Sequence, residues 1–294
     1  MQKERILIVG AGGFLGGRAA RKAQGSFEVF TGGRSAETGA RSVEIDITNA
    51  ESVDAAFRRV QPTVVLMLAA MSDIDRCQAA PEEAHAINVG GAENVARACV
   101  PSAAKLLFTS SAAVFDGGKH GYTEADAPSP VSVYGETKAQ AEAAVAAILP
   151  SAIILRIALA IGFAGRPGTN SMMDQLAARW ASGTAVASPT FESRNPIDAG
   201  TLSQWMLQLL QTEEAAGIFH AGAKESISRY DLNVKLARRM GYSSDLVQPQ
   251  TAPTPGRAPR GKDHYLMSSR FQSVCKVVTP SCDEVIARSF DEAA

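Results

Sequence analysis

A tyrosine and a lysine four residues apart, with two serines upstream, are the residues best suited to chemistry in this sequence. Tyr134 and Lys138 follow Ser110 and Ser111 by about two dozen positions. On a helix, positions i and i+4 share a face, so the phenol and the ammonium would point into one pocket. A phenol, an amine and a hydroxyl can pass a proton to or from a carbonyl oxygen while hydride moves to or from its carbon.

This spacing also arises by chance, and a surface pair on a solvated helix is the alternative interpretation. The N-terminus favours the functional one, because an apolar strand at 5–9 runs directly into a glycine-rich turn. Such a turn lets backbone N–H groups approach a pyrophosphate at the positive end of the following helix. The cofactor-binding residues predicted in this turn are Gly10, Gly12, Gly13, Phe14, Leu15 and Gly16.

The composition favours small-molecule chemistry. The chain has 294 residues, is 46% hydrophobic and carries a net charge of -1, without the basic excess of a nucleic-acid binder. Its longest apolar stretches, 63–71 and 151–164, are shorter than the roughly 18 residues of a spanning helix. Four cysteines without a C-x-x-C pair and scattered histidines predict a reduced, cytoplasmic protein without a metal site. From the charge and the short apolar stretches we expect binding to neither nucleic acid nor membrane.

Strand and helix patterns alternate along the first half of the chain. Strands are expected at 27–31, 42–46, 63–68, 105–109 and 152–157, and helices at 50–60, 81–100 and 132–148. This order predicts an α/β fold, a Rossmann-type doubly wound parallel sheet with a smaller C-terminal α/β region. We place an NADP-binding domain at 1–157 and a mainly substrate-binding region at 158–294 that could return elements to the first domain.

The end of the predicted second strand bears on the choice of cofactor. An NAD site usually offers an acidic residue there, whereas this chain has Arg34 followed by Ser35. An arginine forms charge-assisted hydrogen bonds with a 2′-phosphate, which a carboxylate would repel. A solvated loop arginine is the alternative. We therefore expect NADP(H), with NAD(H) less favoured.

With these motifs in place, the chain resembles the extended short-chain dehydrogenase/reductases, and among them the dTDP-4-dehydrorhamnose reductase group, which includes the regulatory β subunit of methionine adenosyltransferase. The resemblance rests on GAGGFLGG, DITNAESVDAAFRRVQPTVVLMLAA, DIDRCQAAPEEAHAINVGGAENVA, LLFTSSAAVFDG, SVYGETKAQAE, ILR and APRGKDHYLMSSR. It implies that Ser111, rather than Ser110, orients the substrate oxygen, that Tyr134 donates the proton, and that Lys138 holds the nicotinamide ribose.

The resemblance also implies further binding residues. For the cofactor these are Ala69, Ala70, Asp46 and Ile47, for which tight packing and an ordinary strand end are the alternatives. For the substrate they are Arg194, Arg257 and Arg260, the last two in a long loop where arginines could clamp a diphosphate or could be surface charges. Lys138 and the oxidised nicotinamide are expected to lower the pKa of Tyr134.

Three functions stay open at this stage. The first is an NADPH-dependent reductase of a nucleotide-linked 4-keto sugar. The second is a sugar-nucleotide epimerase or dehydratase, although Ala112 and Ala113 stand where dehydratases of the wider family carry an Asp-Glu pair. The third is a regulatory subunit like the methionine adenosyltransferase partner. The alanines and the non-aromatic segment 157–162 leave the sugar itself undecided. The helices at 84–98 and 132–148 are alanine-rich, and because such faces pair two subunits in relatives, the resemblance implies a homodimer.

Overall fold

The computed structural model describes residues 3–34, 40–164, 169 and 171–291. Its strands are β1 Arg5–Val9, β2 Glu28–Gly33, β3 Ser42–Glu44, β4 Val64–Met67, β5 Lys105–Ser111, β6 Ile153–Ile157, β7 Leu159–Ile161, β8 Val186–Pro189, β9 Ser193–Arg194, β10 Pro196–Asp198, β11 Gly217–Ala221, β12 Ile227–Ser228, β13 Val247–Gln250 and β14 Asp263–His264.

The helices are α1 Gly16–Ala23, α2 Ala50–Val60, α3 Ile74–Ala79, α4 Pro81–His85, α5 Gly91–Ser102, α6 Val133–Ile148, α7 Met172–Ala181, α8 Ala199–Gln211, α9 Arg229–Arg239, α10 Ser269–Cys275 and α11 Cys282–Asp291. A π-helical segment, Ala86–Gly90, joins α4 to α5, where the sequence predicts one continuous helix. Short π segments in α-helices are frequent at functional sites.

A seven-stranded parallel sheet in the order β11-β6-β5-β4-β1-β2-β3 forms the centre of the fold. Alternate residues of its strands face opposite sides. Ile6 and Ile8 pack into one hydrophobic core, and Leu7 and Val9 pack into the other. A sheet buried on both faces needs helices on both faces, which confirms the predicted doubly wound α/β fold.

Elements from beyond residue 158 complete this sheet. The strand β11 pairs with β6 in parallel, and α8 packs against α1. The rest of the second half forms small pairings, namely β7 with β10, β8 with β13, and β9 with both β12 and β14. The domain boundary at 157/158 stays a prediction.

No helix among the described residues is long and apolar enough to cross a membrane. The same residues include no group of three or more His, Cys, Asp or Glu side chains suited to a metal ion.

Candidate active site

A cavity of about 1150 Å³ runs along the carboxyl edge of the central sheet. The predicted residues that line it come from five strand ends and from α6. They are Gly10, Gly12, Gly13, Phe14, Leu15, Gly16, Arg34, Asp46, Ile47, Ala69, Ala70, Ser111, Tyr134 and Lys138. The remaining predicted cofactor residue, Ser35, lies outside the described residues. Ligands of doubly wound sheets bind at this edge.

The glycine turn packs too tightly for side chains at two positions. Gly10 has φ 91°, a left-handed conformation that glycine adopts without strain. A Cβ at Gly16 would lie 2.3 Å from the Gly10 carbonyl oxygen and 2.5 Å from the Ala11 Cα. The first turn of α1 therefore lies directly against the turn that follows β1. Gly12 and Gly13 of this turn are exposed, and the binding of a pyrophosphate by its backbone N–H groups stays a prediction.

Arg34, which follows β2, and Asp46, which follows β3, also line the cavity. Arg34 is exposed, and the described part of the turn after β2 offers no acidic side chain to the cavity lining. The Asp46 carboxylate accepts hydrogen bonds from the Thr48 hydroxyl at 2.7 Å and the Thr48 N–H at 2.9 Å. These bonds lower the pKa of Asp46, with a smaller effect of the Arg34 charge.

The catalytic candidates meet because α6 approaches the turn after β5 closely. Ser132 caps α6 by accepting from the Gly135 N–H at 3.2 Å. A Cβ at Gly135 would lie 2.1 Å from the Ala113 carbonyl oxygen, so only glycine allows this contact. The contact brings Tyr134, the residue before it, to the strand end that carries Ser111.

Burial dominates the electrostatics of Tyr134. It raises the pKa of the phenol to about 12, while a hydrogen bond with Ser111 acts in the opposite direction. The sequence analysis expects a lowered pKa instead. The difference arises because the apolar cluster of Met71, Cys77 and Ala84 packs against the ring and disfavours phenolate. The phenol is therefore protonated at neutral pH.

Lys138 is 2% exposed. Its Nζ donates to the Thr109 carbonyl oxygen at 2.7 Å and lies 4.0 Å from the centre of the Phe108 ring. Burial lowers the pKa of the amine to about 7, and Glu142, one turn further along α6, raises it. Near neutral pH this side chain can thus exchange between ammonium and amine.

The two serines have different partners. The Ser110 hydroxyl is buried and donates to the Glu142 carboxylate. Ser111 is next to the phenol of Tyr134 and accepts from the Ala113 N–H at 3.1 Å. This arrangement agrees with the choice of Ser111 as the catalytic hydroxyl, which stays a prediction.

Asn88, in the π-helical segment, binds the backbone of Met71, a residue of the cavity lining. Its side-chain oxygen accepts from the Met71 N–H at 2.8 Å, and its amide donates to the Met71 carbonyl oxygen at 3.1 Å and to the Thr137 hydroxyl at 3.1 Å. Sequence reasoning misses several residues that line the cavity. These include Ser72, Ile74, Arg76, Glu83, Met172 and Gln175, which no motif marks.

The three arginines predicted to bind substrate are absent from the lining of this cavity. Arg194 is 8% exposed, and its guanidinium donates to the carbonyl oxygens of Ser193 at 2.7 Å and Gly261 at 3.1 Å. Arg260 and Arg257 both bind the Asp75 carboxylate, with closest approaches of 2.8 and 3.3 Å.

These contacts hold the loop between β13 and β14 against α3. The Asp75 carboxylate also accepts from the Ala258 N–H at 2.9 Å. Arg260 is the main reason why the pKa of Asp75 falls to about 2. Arg257 and Arg260 therefore form a cationic clasp around Asp75, an acid of this chain.

The fold and the site define the class of the chain. A doubly wound parallel sheet, a glycine turn after β1 and a Ser-Tyr-Lys group at one cavity are characteristic of the extended short-chain dehydrogenase/reductases. The family described as the RmlD substrate binding domain matches residues 4–294, and the chain belongs to that family.

Individual relatives agree with this assignment. The chain is 31% identical to the dTDP-4-dehydrorhamnose reductase of Mycolicibacterium smegmatis over 91% of its length and 79% of the relative's. It is 28% identical to the methionine adenosyltransferase 2 subunit beta of Xenopus tropicalis, over 92% and 82% of the two chains. A crystal structure of the dTDP-4-dehydrorhamnose reductase of Bacillus anthracis in complex with NADP shares the fold, with a TM-score of 0.90, 23% identity, and coverage of 99% and 100%.

Proposed function

We propose that this protein is an NADPH-dependent reductase that acts on the carbonyl group of a nucleotide-linked 4-keto sugar. The observation that carries the proposal is that Ser111, Tyr134 and Lys138 line the same cavity as the glycine turn and Arg34. Family membership and the reductase relative at 31% identity support the same activity.

The residues of the cavity fit a dinucleotide phosphate. The turn from Gly10 to Gly16 would hold the pyrophosphate, and Arg34 would bind the 2′-phosphate. Lys138 would donate to the nicotinamide ribose hydroxyls. The bound cofactor supplies hydride to the substrate carbon.

The proton follows a separate path. Tyr134, protonated at neutral pH, would give its phenolic proton to the carbonyl oxygen as the C–H bond forms, leaving an alcohol and a phenolate. Ser111 would hydrogen-bond the same oxygen and orient it. The ammonium of Lys138 would stabilise the phenolate until a solvent proton restores the phenol.

The sugar would lie beyond this group, against Ala158, Leu159 and Ala160, which line the cavity after β6. The long loop would contribute Arg257 and Arg260 to a diphosphate that replaces Asp75 as their partner. Arg194 would act on the substrate side by supporting this loop through the Gly261 carbonyl oxygen. Ala112 and Ala113 are buried and cannot supply an acid for dehydration. Reduction therefore fits these residues better than elimination.

The test is oxidation of NADPH by the purified protein with a panel of nucleotide-linked 4-keto sugars, dTDP-4-dehydrorhamnose among them. We expect turnover of one member, and Tyr134→Phe should lose on the order of 10²–10⁴-fold of it while binding NADPH normally. Full turnover by Tyr134→Phe would exclude the proposed proton donor. No turnover of any sugar by the wild type would exclude the reductase.

A regulatory subunit is the second candidate, because the methionine adenosyltransferase relative covers 92% of this chain at 28% identity. Co-purification with a methionine adenosyltransferase catalytic subunit, together with an inactive wild type in the sugar panel, would favour it.

We also propose a homodimer formed through α5 and α6, in a reducing, cytoplasmic setting. Val100, on α5, is 52% exposed, and the four cysteines are buried free thiols. Light scattering of the wild type and of Val100→Glu, which should dissociate such a dimer, tests the association.

A further inference from the structure

Three polar residues form a row across three neighbouring strands beside the catalytic group. Ser110 of β5 pairs in register with Arg156 of β6, and Arg156 pairs with His220 of β11. All three are buried, and the neighbours of Arg156 and His220 along their strands are apolar. Glu142 of α6 packs over the row and is 4% exposed.

The contacts within this group are strong. Arg156 donates to both Glu142 carboxylate oxygens, with Nη2 to Oε2 at 2.7 Å and Nε to Oε1 at 2.9 Å. Ser110 donates to Oε1 of the same carboxylate. On the other side, Arg156 Nη1 lies 3.4 Å from His220 Nε2, and burial together with Arg156 lowers the pKa of His220 to about 3. His220 is therefore neutral, and Glu142 is the single carboxylate that balances Arg156 at hydrogen-bond distance among the described residues.

Glu142 lies on the same face of α6 as Lys138, four residues further along. The other groups around the Lys138 ammonium are the Thr109 carbonyl oxygen on β5, the Phe108 ring and the Cys77 thiol on α3. The Tyr134 phenol, one turn earlier on the same face of α6, is protonated near neutral pH. Burial raises the pKa of Cys77, so this thiol carries no charge near neutral pH. Among the described residues, Glu142 is therefore the one group that brings a negative charge to Lys138 at that pH.

We propose that Glu142, held in place by Ser110 and Arg156, is a positioning residue that favours the ammonium form of Lys138 over the amine at the pH of the reaction. This inference rests on the proposed function, since it assigns to the buried ion pair a task in the proton transfer by Tyr134.

The orientation of the pair explains how it can act on Lys138. Glu142 is one helical turn from Lys138 on the same face of α6, whereas Arg156 lies on β6 and binds the Glu142 carboxylate. The negative partner of the pair is therefore the one whose charge acts on Lys138. Glu124, the other acid near Arg156, has a pKa that is raised by burial.

A purely structural role makes a different prediction. A buried ion pair can often be replaced by neutral residues with little loss of stability, whereas removal of one partner leaves a costly buried charge. If the pair only held α6 to the sheet, each single substitution would destabilise the fold. The pKa of Lys138 would then not fall on loss of Glu142 and rise on loss of Arg156.

The experiment measures the pKa of Lys138 directly, by NMR of the side-chain ¹³Cε signals of the protein labelled on lysine. The chain has only nine lysines in its sequence, and Lys138→Arg identifies the signal by its loss. The variants are Glu142→Gln, Arg156→Met and the neutral double variant Glu142→Gln/Arg156→Met, which avoids an unpaired buried charge and is the one most certain to fold.

We expect the double variant to lower the pKa of Lys138 by about one unit, Glu142→Gln to lower it further, and Arg156→Met to raise it. An unchanged or raised pKa in the double variant would overturn the proposal, whatever the single variants do. Equal shifts of the same sign in both single variants would also overturn it.

Activity gives a second readout. Because the ammonium is lost as pH rises through the pKa of Lys138, turnover should fall on the alkaline side, and the double variant should move this fall to lower pH. If the wild type has no activity, the proposed function fails while the NMR titration still decides the role of Glu142.

Discussion

Gly16→Ala tests whether the close packing of α1 on the glycine turn is required for stability and cofactor binding. The added Cβ would approach the Gly10 carbonyl oxygen to 2.3 Å, the Ala11 Cα to 2.5 Å and the Ala11 carbonyl oxygen to 2.7 Å. All three are backbone atoms, so no side chain can rotate away. Forced overpacking costs about 1–3 kcal/mol, and here we expect the upper part of that range.

The neighbouring Gly17→Ala is the matched control. Its Cβ would lie 3.8 Å from the Ala11 carbonyl oxygen, an ordinary contact, on the same turn of the same helix. Removing a helical glycine there stabilises by up to about 0.5–1 kcal/mol. The two variants should therefore differ by about 2–4 kcal/mol in the free energy of unfolding.

Thermal unfolding followed by circular dichroism measures this difference. For a chain of this size, about 2 °C per kcal/mol places the melting temperature of Gly16→Ala about 4–8 °C below that of Gly17→Ala. Gly16→Ala should also weaken NADPH binding in calorimetry, whereas Gly17→Ala should bind as the wild type does. Melting temperatures within about 1 °C of each other would refute the packing argument.

Three further predictions address the cofactor, the substrate oxygen and the loop. Arg34→Ser should raise the KM for NADPH about 10–100-fold and leave the KM for NADH nearly unchanged, because a charged hydrogen-bonding partner of the 2′-phosphate is removed. The substitution Arg41→Ser, at an exposed position, is the control, and equal effects on both cofactors would contradict binding of the 2′-phosphate by Arg34. Ser111→Ala should lower kcat by roughly 10²–10³-fold without changing NADPH affinity, and a change in affinity alone would count against it. Asp75→Asn should release the loop between β13 and β14, seen as faster limited proteolysis there than in Asp283→Asn, whereas equal cleavage rates would show that the clasp does not hold the loop.

Local patterns predict the sheet and the glycine turn well. The apolar runs and the capping residues fix the elements within a few positions, and α2 begins and ends at the predicted residues, with Asn49 accepting from Glu51 and Ser52 N–H groups at 2.9 and 3.2 Å. The resemblance adds Ala69 and Ile47, whose place in the cavity lining no periodicity reveals.

Long-range contacts escape this reasoning. The strand β11 joins the central sheet from beyond the predicted boundary, because edge pairing depends on the whole fold and leaves no local signal. The short α3 and the π-helical segment owe their geometry to contacts such as that of Asn88 with Met71. Arg194 shows the same difficulty, since the sequence cannot tell a guanidinium that binds a ligand from one that binds carbonyl oxygens of its own chain.

Three successive residues at the end of β5, Thr109 to Ser111, each contact one side chain of the proposed proton transfer. The Thr109 carbonyl oxygen accepts from Lys138, the Ser110 hydroxyl from β5 holds Glu142, and Ser111 is next to Tyr134. Successive side chains of a strand face opposite sides, so Ser110 and Ser111 cannot exchange tasks even though their side chains are identical. A shift of β5 by one residue would direct the hydroxyl of Ser110 towards Tyr134 and remove it from the buried carboxylate. The register of β5 on β6, which pairs Ser110 with Arg156, therefore determines both which hydroxyl lies next to Tyr134 and how Glu142 is held.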